Sequence, residues 1–345
     1  MNAHIESVTT CFSIKTNGHP ENKTKINSGE VTLERQILEA FRSIESVNFV
    51  REGLLMKANI FFPNHVQEAK DMVDNLFDLI AINARMKHTT ENGHLKDSFK
   101  NIHSEILAEN NWFANAYDLY RKERANKDFK LIEPYIKRGE EGNILDFGCG
   151  MGHLSKKLSE EGLVVTSADV IDDENRVSKE DKNVKFEHMS SPADINFTGA
   201  HFDTIIIWQV LHHINEKDLY PILKRLSKIG DRLIVNEDMY GSGDNVKGLS
   251  QSIREQKQFV RYMALEEKDQ IAILRIIDYV ANFFIRLSTH EMNIPLRFQT
   301  VDQWASVLSE TGFDIEDIYS IGIREHKWHP DPQVLFVANS NKNNS

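Results

Sequence analysis

The stretch LDFGCGMGHLS, Leu145–Ser155, packs Gly148, Gly150 and Gly152 into a few positions directly after the apolar run NILDF. A strand that feeds a glycine turn and then a helix leaves backbone N–H groups and a helix N-terminus at the carboxyl edge of a sheet, with side chains kept away from whatever lies there. The spacing is D-x-G-x-G-x-G rather than the G-x-G-x-x-G of dinucleotide sites, and Asp146 precedes the glycines. A carboxylate there repels a pyrophosphate and suits a cation. Further on, VVTSADV places Asp169 at the end of the next apolar run, where an acid accepts hydrogen bonds from the two hydroxyls of a ribose. The ligand implied is a nucleoside with a positively charged, phosphate-free tail.

Outward from this turn, short apolar runs alternate with amphipathic helical segments, the pattern of a parallel sheet with crossover helices. Strands are expected at 143–147, 163–168, 184–188, 202–208, 232–237, 313–319 and 333–338. The link SIGIREHKWHPDP between the last two has no crossover helix, so they are expected to pair antiparallel. About sixty residues at 240–299 interrupt the rhythm with helical periodicity. At the exit of a central strand such an insertion lies over the ligand edge as a lid or substrate wall, or else pads the fold or makes a dimer contact. Residues 1–30 and the last residues read as flexible ends, 31–125 as an N-terminal helical region that caps the site or makes a dimer contact, and 126–340 as the α/β domain.

The 345 residues carry 41 basic and 52 acidic side chains, a net charge of −11 with no basic block, which disfavours a nucleic-acid partner. Two cysteines, Cys11 and Cys149, far apart, give neither a disulfide framework nor a thiolate metal site. The N-terminus lacks a cationic start with an apolar core, and no run is long enough to span a bilayer. A cytoplasmic protein without membrane contact is expected.

The segment from about Asn143 to Asn339 resembles the class I S-adenosylmethionine-dependent methyltransferases, small-molecule branch. The likeness rests on the glycine turn, the acidic end of the second strand, FDTIIIWQVLHHI as fourth strand, RLIVNED as fifth and the late pair GFDIEDIY and QVLFVA. It implies a doubly wound seven-stranded sheet of order 3-2-1-4-5-7-6 with strand 7 antiparallel, and S-adenosylmethionine as cofactor. Carried onto this sequence, Asp146, Gly148 and Gly150 hold the amino-acid end of the cofactor and Asp169 its ribose, with Cys149 and Val170 beside them. Met189 and Ser190 are packing or backbone contacts. Ser191 stands where many members have an Asp that meets the adenine amino group, and Gln209 lies near the sulfonium or the amino-acid portion. Cys149 reads as a small filler of the turn rather than a redox group.

Methyl transfer from a sulfonium is an in-line displacement, so the acceptor must be aligned and must lose its proton as it reacts. His213 and His212, at the end of the fourth strand, are candidate bases or helix-packing groups; Glu237 closes the fifth strand as an acceptor ligand or an orienting acid. His326 and His329 in REHKWHPDP, with Glu325 and Asp331, are candidates for the acceptor wall, for a base, or for a surface loop; no metal is expected. Tyr279, Phe283, Phe284, Arg286 and His290 of the insertion read as core or as acceptor wall, and Pro295, Arg297 and Phe298 as pocket. The expected function is methyl transfer to an oxygen or nitrogen of a small-molecule metabolite, with homodimerisation through the N-terminal helices as one use for them. The rivals are a methyltransferase for RNA or protein and a cofactor-binding partner or sensor that has lost activity.

Overall fold

The computed structural model of the chain describes residues 33–86, 112–139, 142–172, 176–179, 181–195, 197, 199–243, 246–248, 256–286 and 295–341. The N-terminal stretch 1–30 with Cys11, residues 87–111 of the expected helical region, His290, and the side chains of Phe283, Phe284 and Arg286 lie outside the described residues.

The strands are β1 (Asn143–Phe147), β2 (Val164–Asp169), β3 (Val184–His188), β4 (Phe202–Trp208), β5 (Gly230–Asp238), β6 (Lys247–Gly248), β7 (Phe313–Ile323) and β8 (Pro332–Ser340). They form one sheet in the order β3-β2-β1-β4-β5-β8-β7-β6. β1 lies parallel between β2 and β4, and β8 runs antiparallel to both β5 and β7. The doubly wound order expected from sequence is therefore present, with one strand more than the seven anticipated. The addition is β6, two residues of the insertion that pair parallel with Tyr319 and Ser320 of β7. Two residues are too few to show the alternation of a strand, so β6 was not legible from periodicity.

Alternation along each central strand sends side chains to two cores. Leu145, Phe147, Ile205, Ile207, Leu233, Val235, Val334 and Phe336 face one layer, against Leu219, Ile222, Leu223 and Leu226 of α6 (Glu216–Ile229) and Trp304, Val307 and Leu308 of α9 (Val301–Glu310). Ile144, Ile206, Ile234, Leu335 and Val337 face the other, against Phe129 and Ile132 of α4 (Phe113–Ile132) and Leu154 and Leu158 of α5 (His153–Glu160). A capping box between Thr300 and Gln303 opens α9.

A third core is wholly helical. It joins α1 (Leu33–Ala40), α2 (Ile44–Phe61), α3 (Val66–Met86) and the start of α4 to α7 (Lys257–Met263) and α8 (Glu267–Arg286) of the insertion. The insertion leaves and returns at one point, where Tyr240 bridges Thr300. Tyr262 Oη donates to the Met239 carbonyl at 2.9 Å, and Gly241 N–H donates to Gln270 Oε1 at 2.8 Å. The link between β7 and β8 is anchored in this helical core by Trp328, fully buried against Phe62 and Phe113, with its indole N–H donating to the Leu54 carbonyl at 3.2 Å. Truncating so large a buried side chain costs about 3–5 kcal/mol. The helical body thus stands over the carboxyl ends of β1, β4 and β5 and holds the β7–β8 link against them.

Candidate active site

The turn after β1 is shaped by three left-handed glycines, Gly148, Gly150 and Gly152, with φ of 77°, 54° and 78°. At Gly148 a Cβ would stand 2.4 Å from Val210 Cγ2, so a larger residue would push β1 away from the end of β4. At Gly150 a Cβ would meet nothing within 4 Å: a side chain there would project into the space that the turn keeps open. Gly148 N–H is tied to the Ala168 carbonyl at 2.8 Å, and Gly150 N–H donates to Asp169 Oδ2 at 2.7 Å. Ile171 N–H donates to the other oxygen of Asp169 at 2.9 Å, which locks the carboxylate at the end of β2. Asp146 lies buried beneath the turn and accepts from Ser155 Oγ at 2.5 Å. Burial, followed by the charge of Asp169, pushes its carboxyl up to about 6. From outside, the Arg176 guanidinium donates to the carbonyls of Gly150 and Ile171 and lies 3.8 Å over the Phe186 ring, clamping the loops after β1 and β2 together.

One cavity of about 600 Å³ runs from this turn to the helical body. Asp146, Gly148, Cys149, Gly150, Asp169, Val170, Met189, Ser190 and Ser191 all line its first half, so the sequence-derived cofactor residues converge there. Cys149, whose thiol is pushed well up by burial and then by Asp146 and Asp169, stays protonated and unreactive, in keeping with a filler. Gln209, at φ 57°, closes β4 in the middle of the cavity. Its amide is fully engaged: Oε1 accepts from Arg124 Nη2 at 2.6 Å, and Nε2 donates to Asp238 Oδ1 at 2.8 Å and Asp331 Oδ2 at 3.1 Å.

The far half holds the acid–base groups. His212 Nδ1 stands 2.6 Å from Glu237 Oε2, while Glu237 Oε1 accepts from the N–H groups of Val210 at 3.0 Å and Leu211 at 2.7 Å. Burial lowers the pKa of His212, but the charges of Glu237 and Asp278 outweigh it and the ring is held well above its ordinary value. It is therefore an imidazolium between two acids. His213 Nε2 lies 3.7 Å from Asp278 Oδ1, at ion-pair rather than hydrogen-bond distance, and His213 is the more accessible of the two rings. Burial raises the carboxyl of Asp278, yet His213 and His212 bring it below its usual range. His212, His213 and Asp278 present donor atoms within 4.8 Å of one another, a spacing that also suits a cation; here the two buried acids are balanced by the charged ring of His212.

Of the other candidates, Glu237 is wholly buried behind His212 and does not reach the cavity, and His326 lies outside it, 3.8 Å from Asp128. His329 does line the cavity, with Nε2 3.5 Å from Tyr117 Oη; burial drives its pKa down to about 3, so the ring stays neutral and cannot act as a base near neutral pH. Tyr279 packs into the helical core against Phe41, and Phe298 stacks on His212 at 5.3 Å. Asp238 and Asp331 share the end of the cavity: burial and then Asp331 raise Asp238 to about 8, while Lys327 holds Asp331 ionised against its burial.

Residues 117–231 match a family profile described as a methyltransferase domain. That part of the chain is similar to a methyltransferase domain. No curated protein matches the chain. Among solved structures, 1,6-didemethyltoxoflavin-N1-methyltransferase of Burkholderia thailandensis is 13% identical, with 74% of this chain and 93% of that one covered and a TM-score of 0.41. Magnesium protoporphyrin IX methyltransferase of Synechocystis PCC 6803 is 14% identical over 64% and 84%, with a TM-score of 0.37, and the [4+2]-cyclase SpnF is 12% identical over 62% and 81%, with a TM-score of 0.41. Likenesses of this depth carry no substrate or reaction over to this chain.

The residues present fit S-adenosylmethionine, the cofactor that the sequence resemblance implies. The bare position at Gly150, two acids for an ammonium and a ribose, and an enclosed wall at Met189–Pro192 for a base are the donor set a sulfonium nucleoside needs. Sequence reasoning missed Tyr117, Arg121 and Arg124, spaced four and three apart on α4, and Asp278 in α8. The signal for Asp278 was present: a lone acid in the apolar run IAILRIIDYVANFF must have a buried partner. Among the described residues no helix is long and apolar enough to cross a membrane.

Proposed function

We propose that this cytoplasmic methyltransferase acts on an oxygen or nitrogen of a small-molecule metabolite held in the far half of the cavity, with His213 taking the acceptor's proton. One observation carries the reading: a cavity of about 600 Å³, the size of a small-molecule site, is lined both by the glycine turn and by His213 and Asp278. A net charge of −11 further disfavours RNA.

When bound, S-adenosylmethionine supplies an electrophilic methyl group. Asp146 and the turn hold its amino-acid end, and Asp169 holds its ribose. The acceptor's O–H or N–H gives its proton to the His213 ring while Asp278, kept ionised, stabilises the imidazolium that forms, the logic of a base backed by a buried acid. His212 is the positioning partner: Glu237 fixes one edge, and its charge fixes Asp278. Proton transfer to a positioned side chain contributes about 10²–10⁴ in rate. The 3.7 Å between His213 Nε2 and Asp278 Oδ1 is short enough for the carboxylate to stabilise a charged ring.

The test is transfer of a radiolabelled methyl group from S-adenosylmethionine by the purified protein into a metabolite extract, offered in parallel with total RNA and with soluble protein. Label in a low-molecular-mass product supports the reading. Label confined to RNA or protein rejects it.

A further inference from the structure

Ile277, Asp278, Ala281 and Asn282 line the cavity along one face of α8, and Asp278 and Asn282 are the polar members of that wall. Both are buried, at 5% and 2% exposure. Asn282 Nδ2 donates to the Asp278 carbonyl and to Asp278 Oδ1, each at 2.7 Å, which fixes the amide, since turned over its oxygen would face two acceptors. Asn282 Oδ1 and Asp278 Oδ2 are left over, and neither accepts a hydrogen bond from any described residue. Asp278 Oδ1, by contrast, is occupied by that amide and by the two rings, His213 at 3.7 Å and His212 at 3.8 Å.

A buried acceptor without a donor is unfavourable, the more so when it belongs to a carboxylate. Two stand side by side here, in the half of the cavity where one ring charge, that of His212, faces two carboxylates, Glu237 and Asp278. The other cations that line the cavity are engaged elsewhere: Arg124 with Asp128 and Gln209, Lys327 with Asp331, and Arg121 over the Tyr117 ring. The α8 wall is thus short of both positive charge and hydrogen-bond donors, and its complement is a ligand that brings both. A hydroxyl brings one donor, too few for Asp278, Asn282 and the His213 ring together. A primary ammonium brings three N–H groups and a positive charge.

We propose that the acceptor is a primary amine, entering as its ammonium with one N–H on Asp278 Oδ2, one on Asn282 Oδ1 and the third toward His213. The inference rests on the small-molecule site proposed above and narrows its oxygen or nitrogen to nitrogen. The third N–H bond breaks at His213: the proton passes to the ring, and the electron pair stays on nitrogen as the nucleophile. The two remaining N–H groups hold the nitrogen and so set the direction of that pair.

Saturation-transfer NMR on the S-adenosylhomocysteine-loaded protein reads the recognition without turnover. The probes are benzylamine, benzyl alcohol and benzoate, similar in size and different in charge and donor count, titrated into the wild-type chain, Asp278→Asn and Asn282→Leu. The wild type should bind benzylamine about tenfold or more tightly than benzyl alcohol and should not bind benzoate. Each variant should lower benzylamine affinity about tenfold or more, and benzyl alcohol affinity less than about threefold, because a merely structural change would weaken both alike. The wild-type preference is informative even if a variant fails to fold. If benzyl alcohol or benzoate binds as tightly as benzylamine, if none of the three binds, or if both variants fold and keep the wild-type preference, the proposal is overturned. Methyl label from a metabolite extract found in a hydroxyl compound and in no amine also overturns it, while leaving the small-molecule reading standing; label confined to RNA or protein overturns both.

Discussion

Nδ1 of His212 stands 2.6 Å from Oε2 of Glu237, and neither side chain touches solvent appreciably. The pair fixes the His212 ring at the end of β4, so that its other edge meets Asp278 across the sheet–helix boundary, 3.8 Å away. Strand end and helical body are thereby joined by charge as well as by packing.

Replacing Glu237 by Gln keeps an oxygen for the Val210 and Leu211 N–H groups but removes the charge that holds His212 protonated. Breaking one partner of a buried pair costs about 3 kcal/mol. Because the folded-state pKa of His212 is raised, its contribution is complete below about pH 6.5, the unfolded value, and is lost as pH rises through the folded value. Denaturant unfolding at several pH values should give a wild-type advantage over Glu237→Gln that is largest in mild acid and shrinks toward alkaline pH.

Asp146 obeys the opposite sign. Its carboxyl is raised to about 6, so ionising it costs the empty protein stability above pH 6, a cost that vanishes below the unfolded value near 4. Asp146→Asn should therefore stabilise the ligand-free chain at pH 7.5 by up to about 2 kcal/mol. The same variant should bind S-adenosylhomocysteine more weakly, and wild-type affinity should fall as pH drops below about 6. Thermal unfolding and calorimetry read the two effects separately.

Asp169 binds Gly150 and Ile171 through their N–H groups before any ligand arrives. Its loss should loosen the turn and remove the acceptor proposed for the ribose. Charge-assisted bonds of this kind are worth about 1.5–3 kcal/mol, so Asp169→Ala should weaken S-adenosylhomocysteine about 10- to 100-fold by calorimetry. An unchanged affinity would contradict the ribose assignment.

The sheet was legible because its signals are local. The runs NILDF and FDTIIIW, the glycines between Asp146 and His153, and the missing crossover between β7 and β8 each act over a few residues. The acid–base site was legible only in part. His212 and His213 were visible at the end of β4, but Asp278 comes from α8 and Arg121 from α4, and their approach depends on how the insertion and the N-terminal helices pack together. The same holds for Glu237 and His326, whose residue types fit the chemistry. Burial behind His212 and the pull of Asp128 decide their places, and neither is a local property.

Lys57 illustrates that tertiary term. Reaching from α2, its buried Nζ donates to the Arg324 carbonyl at 2.8 Å and the Lys327 carbonyl at 2.6 Å, while burial lowers its pKa to about 8. Lys57→Met leaves two carbonyls of the β7–β8 link without donors, at about 1–3 kcal/mol each. It should lower the melting temperature and raise the acceptor KM, because Lys327, His329 and Asp331 on that link line the cavity. S-Adenosylhomocysteine affinity, set at the glycine turn, should change little.

Proton transfer to His213 and activation by a bound cation differ in their response to chelation. With His212 charged between Glu237 and Asp278, turnover should be unaffected by EDTA and by added magnesium, manganese or zinc at micromolar levels. Metal-dependent restoration of a chelated sample would move the site to cation chemistry.

The most direct test is the single-turnover rate of methyl transfer for His213→Gln beside its affinity for S-adenosylhomocysteine. The account predicts a rate lower by about 100-fold or more with cofactor-product affinity unchanged. A wild-type rate in His213→Gln, with the protein folded and the cofactor product bound, would contradict it.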